Sequence, residues 1–346
     1  MKKKFLHEAK ARESIPMKLK IGIIGCGHLG SLHSKMLAQI PSAELLGVYD
    51  VDREKAQLLA SEHGTKSFES LDTLLSGVQA VSIATTTKSH FEVARTALER
   101  GVHVFIEKPI TETISQAEQL VQMAEAADRK IQVGHIERFN PAILALEHLK
   151  LAPLFIESHR LAQFNPRGSD VAVVLDLMIH DIDLILSLVQ SPVTRIDAHG
   201  VAVVSDSEDI ANARLQFENG CVANVTASRI SQNKMRKMRL FQTDAYISID
   251  FSQGLAEVFR LVDEDDTSIK PTMMLGKIDQ GHRKRVIVYE QPEVREINAL
   301  KHELELFLQA VQTGTPPPVT GRDGLQALQV AEEILRIIKS QKVRVV

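Results

Sequence analysis

The chain has no tryptophan, and aromatic residues make up only 4% of its 346 residues. Stacking platforms for single-stranded nucleic acid are therefore not expected. Cysteine is nearly absent: Cys26 and Cys221 make no CxxC spacing and no disulfide framework, which points to a reducing cytoplasm. Neither sign of charge dominates. A formal net charge of −3 gives no general pull toward nucleic acid or a membrane. No apolar run approaches bilayer-spanning length. The basic start, Met1-Lys-Lys-Lys-Phe-Leu, lacks the apolar core of a signal peptide.

What is present is ordinary in amount and specific in arrangement. An apolar fraction of 44% suits a chain that buries a real core, and this length suggests two domains or one large α/β unit. No internal repeat is visible. Met17 directly precedes the first strand signal, so residues 1–16 are expected to be a flexible extension or an upstream start.

From residue 19 strand and helix signals alternate. Strands are expected at 19–25, 44–50, 80–85, 103–107 and 131–135, with a short one near 65–68. Helices are expected at 28–39, 52–63, 89–100 and 115–127. This rhythm predicts a doubly wound parallel sheet, with residues 17–140 as a dinucleotide-binding domain.

Gly25-x-Gly27-x-x-Gly30 stands after the first strand and opens the first helix. The first glycine allows the tight turn and the second lets backbone approach a pyrophosphate. The third lets helix and strand pack closely. The amides of His28, Leu29 and Gly30 then head a helix that can face phosphates. Cys26 is a small filler in this loop rather than a nucleophile. Asp50 ends the second strand at the offset of an acid that holds ribose hydroxyls. A carboxylate there repels a 2′-phosphate, favouring NAD over NADP, a preference that Arg53 can soften. The competing role for Asp50 is an N-cap for the following helix. Thr85, Thr86 and His90 leave the carboxyl edge of the next strand, where such sheets bind ligands. Their alternative is a solvated turn with a helix cap.

Lys108 closes the apolar run His103-Val-Phe-Ile-Glu-Lys-Pro109. Pro109 holds its backbone extended, aiming a cation at the expected nicotinamide. Burial and a nearby cation lower a lysine pKa. Asp176 and His180 are spaced i, i+4 in a segment that looks helical over 171–189, with Asp183 on the same side. A histidine there suits proton transfer. Read alone, Lys108 is a surface lysine and the Asp–His pair a structural ion pair.

Taken together, these motifs resemble the Gfo/Idh/MocA family of NAD(P)-dependent sugar dehydrogenases. The family's Glu-Lys-Pro signature matches Glu107, Lys108 and Pro109, and its Asp-x-x-x-His motif matches Asp176 and His180. The resemblance covers nearly everything after Met17. It implies cofactor contacts at Glu107 and Lys108, and catalysis by Lys108, Asp176 and His180. Either His180 or Lys108 takes the hydroxyl proton while the adjacent C–H delivers hydride to NAD⁺.

After residue 151 successive strands are expected at 154–163, 193–204, 211–217, 221–230, 235–242 and 246–251, with a helix at 170–189. That predicts an α+β domain over 141–346 with a large, mostly antiparallel sheet. The resemblance implies a homodimer or homotetramer through the open face of that sheet. Residues 254–291 are harder to read, and Asp263-Glu-Asp-Asp266 is a solvated loop rather than a metal site. Helices follow at 299–312 and 323–340, the last placed to pack back on the nucleotide domain.

The stretches Gly134-His-Ile-Glu-Arg-Phe-Asn-Pro141, Asp176-Leu-Met-Ile-His-Asp-Ile-Asp183 and Ser228-Arg-Ile-Ser…Lys234-x-Arg236 resemble the family's bacterial nucleotide-sugar members, the UDP-N-acetylglucosamine 3-dehydrogenases. Such a member oxidises the sugar C3 hydroxyl to a ketone, which an aminotransferase converts for lipid A or surface glycan synthesis. A diphosphate substrate needs its own cations. Candidates are Arg160, Arg167, Arg229, Lys234 and Arg236, most of which will be surface or interface charges. Arg138 and Asn140 are candidates for sugar hydroxyls, and Asn140 before Pro141 equally suits a helix cap. The rival readings are a free-polyol dehydrogenase of inositol type and a sugar-sensing regulator without turnover.

Overall fold

A computed structural model describes residues 18–165, 171–264, 273–280 and 283–342. The 1–16 extension, Arg167, Asp170, Asp265 and Asp266 lie outside the described residues.

The first half runs β1 (Leu19–Ile24), α1 (His28–Leu37), β2 (Ala43–Tyr49), α2 (Arg53–Glu62), β3 (Lys66–Ser67), α3 (Leu71–Leu75), β4 (Ala80–Ile83), α4 (Thr87–Glu99), β5 (His103–Glu107), α5 (Ile114–Ala126) and β6 (Ile131–Gly134). Its six strands pair in the order β3-β2-β1-β4-β5-β6, all parallel. Strand β4 is buried along its whole length, as expected where helices cover both faces. The order reverses between β1 and β4, so a crevice opens at their carboxyl ends. Asp52 caps α2 through the amide of Lys55, and Thr113 with Gln116 forms a capping box on α5, each fixing where its helix begins. The short helix α3 was not anticipated.

The second half continues with a 3₁₀ turn (Ile136–Phe139), α6 (Pro141–Leu144), β7 (Phe155–Leu161), a π-helical turn (Val174–Met178), α7 (Ile179–Val189), β8 (Val193–Val201), β9 (Ile210–Phe217), β10 (Val222–Ser228), β11 (Met235–Phe241), β12 (Ala245–Asp250), β13 (Leu255–Asp263), β14 (Met273–Gln280), β15 (Arg283–Glu290), α8 (Ala299–Thr313) and α9 (Gly321–Lys342). Nine strands make one sheet, ordered β14-β15-β13-β12-β11-β7-β10-β9-β8. Only β7 and β10 pair in parallel. Residues 254–291, hard to read from sequence, supply three of these strands.

Alternation sets the two faces of this sheet. Ile156, Leu240, Ile247, Val258 and Val288 point into the core. Their neighbours Phe155, Phe241, Tyr246, Phe259 and Tyr289 form a row of rings on the other face, with centroids 5.0–5.7 Å apart. Helix α7 packs on the core face.

The last two helices join the halves. On α8, Phe307 meets Phe105 of β5 edge to face at 5.8 Å, a contact worth about 1 kcal/mol beyond its burial. Thr320, just before α9, bridges Gln132 of β6. A Cβ on Gly324 would stand 2.5 Å from Val133, so only glycine lets α9 approach β6 this closely. Farther along, Ala327, Ala331, Ile334 and Ile338 enter the core of the large sheet.

Candidate active site

The three glycines of the first loop do three different jobs. Gly25 has φ +96, and a Cβ there would stand 2.7 Å from the Ala84 carbonyl. A Cβ on Gly30 would overlap the Gly25 carbonyl oxygen at 1.8 Å. Gly27 alone has open space around it. The first two are needed to fold the loop, and the third leaves backbone bare. No side chain caps α1 at Gly27, and Gly27, His28 and Leu29 are exposed. Helix N–H groups and the positive end of the dipole are thus offered outward, as an anion site requires.

Asp50 braces this loop from the end of β2. Its Oδ2 accepts from the Cys26 amide at 2.6 Å and its Oδ1 from the Asp52 amide at 2.8 Å. Asp52, not Asp50, is the helix cap. Each Asp50 oxygen keeps lone-pair capacity for one more donor. Burial, then the charges of Asp50 and Asp52, push the Cys26 thiol up to about 12. It stays protonated and inert.

Across the switch point, Thr86 heads α4 without a capping hydrogen bond from its side chain. The Thr85 hydroxyl has only a long 3.4 Å contact to the Thr86 carbonyl. The Thr86 hydroxyl likewise has a long 3.4 Å contact to Ser89 Oγ. His90 is buried and ties two strand ends together: Nδ1 lies 2.9 Å from the Pro109 carbonyl and Nε2 lies 3.2 Å from that of Thr85. Burial outweighs those two carbonyls and lowers its pKa.

Glu107 has a partner that the sequence did not announce. His33 of α1 is fully buried, with Nδ1 2.7 Å from Ser82 Oγ and Nε2 2.9 Å from Glu107 Oε1. Burial would raise the Glu107 carboxyl, but the His33 hydrogen bond and the Lys108 charge outweigh it and hold it below its usual range. This bridge ties the cofactor helix to the strand that carries the lysine.

Lys108 and Asp176 meet as expected. Lys108 Nζ donates to the Asp176 backbone carbonyl at 2.7 Å and stands 3.7 Å from its Oδ1. Asp176 Oδ2 lies 4.0 Å from the Arg229 guanidinium, which also donates to the Val171 carbonyl. Burial lowers the Lys108 pKa against the pull of Asp176 and Glu107. The helix carrying Asp176 differs from the regular one expected over 171–189. Residues Val174–Met178 form a π-helical turn before α7 begins at Ile179. Such widened turns recur at functional sites. His180 follows, with Nδ1 buried and without a hydrogen-bond partner. Burial, then the charges of Lys108 and Arg160, push its pKa well below 6.5.

Two of the arginines serve the interior. Arg138 grips Asp183 through Nε and Nη2, at 2.7 and 2.6 Å, and lies 3.4 Å from Asp323. Arg160, 3% exposed, grips Asp181 at 2.6 and 3.2 Å and Glu137 at 2.8 Å. Burial disfavours both cations, but their carboxylate partners prevail and raise both pKa values. These donors are taken by internal carboxylates. Asn140 accepts from the Ala142 amide as the cap of α6, and its Nδ2 donates to the Phe251 carbonyl at 3.2 Å. Lys234 and Arg236 remain exposed. Arg236 reaches Glu137 only at 3.9 Å and faces His180.

The sequence reading missed three buried groups: His33, His135 and Glu303. His135 stacks edge to face on His180. Glu303 of α8 is fully buried with neither oxygen bonded, and burial, then Glu107 and Asp183, raise it well above the carboxylate range. Single buried residues whose partners are distant in sequence leave no local pattern. Among the described residues, no His, Cys, Asp and Glu group is arranged to hold a metal ion, and no helix is long and apolar enough to cross a membrane.

Residues 19–135 match the NAD-binding Rossmann fold of an oxidoreductase family, and residues 157–253 match the Gfo/Idh/MocA C-terminal domain. The chain is 37% identical to UDP-N-acetylglucosamine 3-dehydrogenase of Acidithiobacillus ferrooxidans, covering 91% of this chain and 96% of that one. A crystal structure of that enzyme superposes with a TM-score of 0.84 at 36% identity, covering 94% and 99% of the two chains. Myo-inositol 2-dehydrogenase of Thermotoga maritima is 24% identical, with coverage of 90% and 93%.

Proposed function

The chain belongs to the Gfo/Idh/MocA oxidoreductase family, and from there we propose that it oxidises the C3 hydroxyl of UDP-N-acetylglucosamine, or of a related nucleotide sugar, with NAD⁺. The observation that carries this reading is Lys108 at the carboxyl end of β5, bonded to Asp176, with the buried His180 ring under the influence of its charge. The relative that shares 37% of its residues acts on that sugar nucleotide.

The chain binds NAD(P) in its Rossmann half. Asp50 supports NAD: a carboxylate with spare acceptor capacity suits ribose hydroxyls and repels a 2′-phosphate. Bound in this half, the cofactor would supply the hydride acceptor. The protein's residues do the rest. Lys108 is held by the Asp176 carbonyl and carboxylate, and as an ammonium it stabilises the developing alkoxide. His180 takes the proton, because its surroundings keep it neutral at pH 7. Asp176 fixes the ammonium rather than the imidazole. Lys234 and Arg236 are the cations left to meet a substrate diphosphate, with Arg229 nearby through Asp176.

The row of half-buried rings from Phe155 to Tyr289, extended by Met273 at 56% exposure, supports self-association of the large sheet into a homodimer or homotetramer. A 3-keto sugar is a fit substrate for an aminotransferase, so a transaminating step is proposed to follow in lipid A or surface glycan synthesis.

The test is NADH formation by the purified protein with UDP-N-acetylglucosamine, free N-acetylglucosamine and myo-inositol in parallel, with a ketone trap present. NADH with the UDP-sugar alone is the expected result. NADH with the inositol alone would overturn the nucleotide-sugar reading.

A further inference from the structure

His135 leaves β6 on a tight turn, its amide donating to the Val133 carbonyl at 2.8 Å. Its ring is 1% exposed. It meets the His180 ring edge to face, with centroids 6.4 Å apart and planes at 87°. Both His135 nitrogens and His180 Nδ1 are buried without a hydrogen-bond partner. An imidazole used only as filler is an expensive choice, since bare buried nitrogens lose their hydration. A phenyl ring would fill the space without that cost.

The reaction leaves a proton at this wall. In the oxidation, the C–H electron pair departs as hydride to NAD⁺, the carbonyl forms, and the hydroxyl proton passes to His180. Burial, then the charges of Lys108, Arg160, His135 and Arg236, disfavour the charged form of His180. The sugar stands on the side from which the proton came. The other nitrogen, Nδ1, faces the interior.

We propose that His135 is the next station for this proton, a positioning residue that acts through His180 by drawing the proton inward from its Nδ1. The proposal rests on the reading that His180 is the proton acceptor. A centroid separation of 6.4 Å leaves no two ring nitrogens within hydrogen-bond distance, so the transfer requires a bridging water. On its far side, His135 Nδ1 stands 4.0 Å from Asp183 Oδ2. The groups facing His135 are Asp183 and His180 from α7, Arg138 from the 3₁₀ turn, and Glu107 and Lys108 from the end of β5. Burial lowers its pKa; Asp183 and Glu107 work against that, while Arg138 and Lys108 add to it. The two imidazoles form one buried pair across which the proton is shared, and the pair titrates as a unit.

The experiment compares wild type, His135→Phe, His135→Gln and His180→Gln. It records the pH dependence of kcat for NAD⁺ reduction by UDP-N-acetylglucosamine and the solvent deuterium isotope effect. It also follows the titration of the histidine rings by NMR in the full chain. NADH binding certifies that each variant is folded, and His135→Gln serves if His135→Phe is not. In the His135 variants kcat is expected to fall on the order of tenfold, with a larger isotope effect and a displaced acid limb. Both KM values should stay within about twofold, imidazole in the buffer should restore part of kcat, and the His180 midpoint should move. An unchanged pH profile, isotope effect and His180 midpoint, with or without a fall in kcat, would reduce His135 to packing and overturn the proposal. His180→Gln separates the two readings: near-normal turnover there would remove the proton acceptor itself. Loss there with silent His135 variants would remove only the relay.

Discussion

The cofactor side of the cleft and the reacting side are built in opposite ways. At the glycine loop, Gly27, His28 and Leu29 are exposed, and Asp50 meets the loop backbone with short, satisfied hydrogen bonds. At the reacting wall, Lys108 donates to the Asp176 carbonyl and His135 packs on His180, and buried polar atoms of His135, His180 and Glu303 have no partner. The loop offers ready-made donors to a charged ligand that arrives and leaves. The wall keeps its groups dry, where electrostatic effects are strongest and pKa values move furthest. Binding and reaction are thus assigned to residues in different physical environments.

This contrast breaks first at Lys108. Lys108→Ala should lower kcat by roughly a thousandfold while NADH affinity changes little, measured by initial rates and cofactor fluorescence. Near-normal turnover would return Lys108 to the cofactor side.

The pH profile sharpens the same division. A neutral His180 is needed for proton uptake, and its pKa lies well below 6.5, so kcat/KM should hold as pH falls through 6.5 and drop only below it. A charged Lys108 is needed for the alkoxide, and burial lowers its pKa, so the alkaline limb should begin below the ordinary lysine value of about 10.4. The whole plateau is displaced toward acid. An acid limb lying above pH 6.5 would contradict this.

On the loop side, Asp50→Ala should weaken NAD⁺ about tenfold and narrow the discrimination against NADP⁺, with kcat at saturation nearly unchanged. Equal cofactor affinities in variant and wild type would leave Asp50 only a brace for Cys26 and Asp52.

The smallest effect is on stability. Glu303 binds its proton more tightly folded than unfolded. As pH rises past the unfolded value of about 4.3, the unfolded chain ionises first and stability falls. Glu303→Gln should remove that slope and raise Tm by about 2–4 °C near neutral pH. A lower Tm with an unchanged slope would mean that the carboxyl is satisfied in some other way.

The loop was legible in the sequence and much of the wall was not, for a physical reason. Gly25, Gly27, Gly30, Glu107, Lys108 and Pro109 act through local backbone geometry, which spacing records. Arg138 and Arg160 act through partners 45 and 21 residues away, so nothing near them signalled that Asp183 and Asp181 would take their donors. The i, i+4 spacing of Asp176 and His180 suggested a regular helix, and the π-helical turn between them leaves that spacing unchanged. His33 and His135 look like any lone histidine until the fold surrounds them. The aromatic row needed the strand register, which alternation within one strand does not give.

The most direct measurement is a double-mutant cycle between the two sides, Asp50→Ala with Lys108→Ala, read as kcat/KM for NAD⁺ with saturating UDP-N-acetylglucosamine. Separate jobs predict that the two losses add, within about 0.5 kcal/mol. A double variant no worse than Lys108→Ala alone would show that loop and lysine act on the same step, and would contradict the division of labour drawn here.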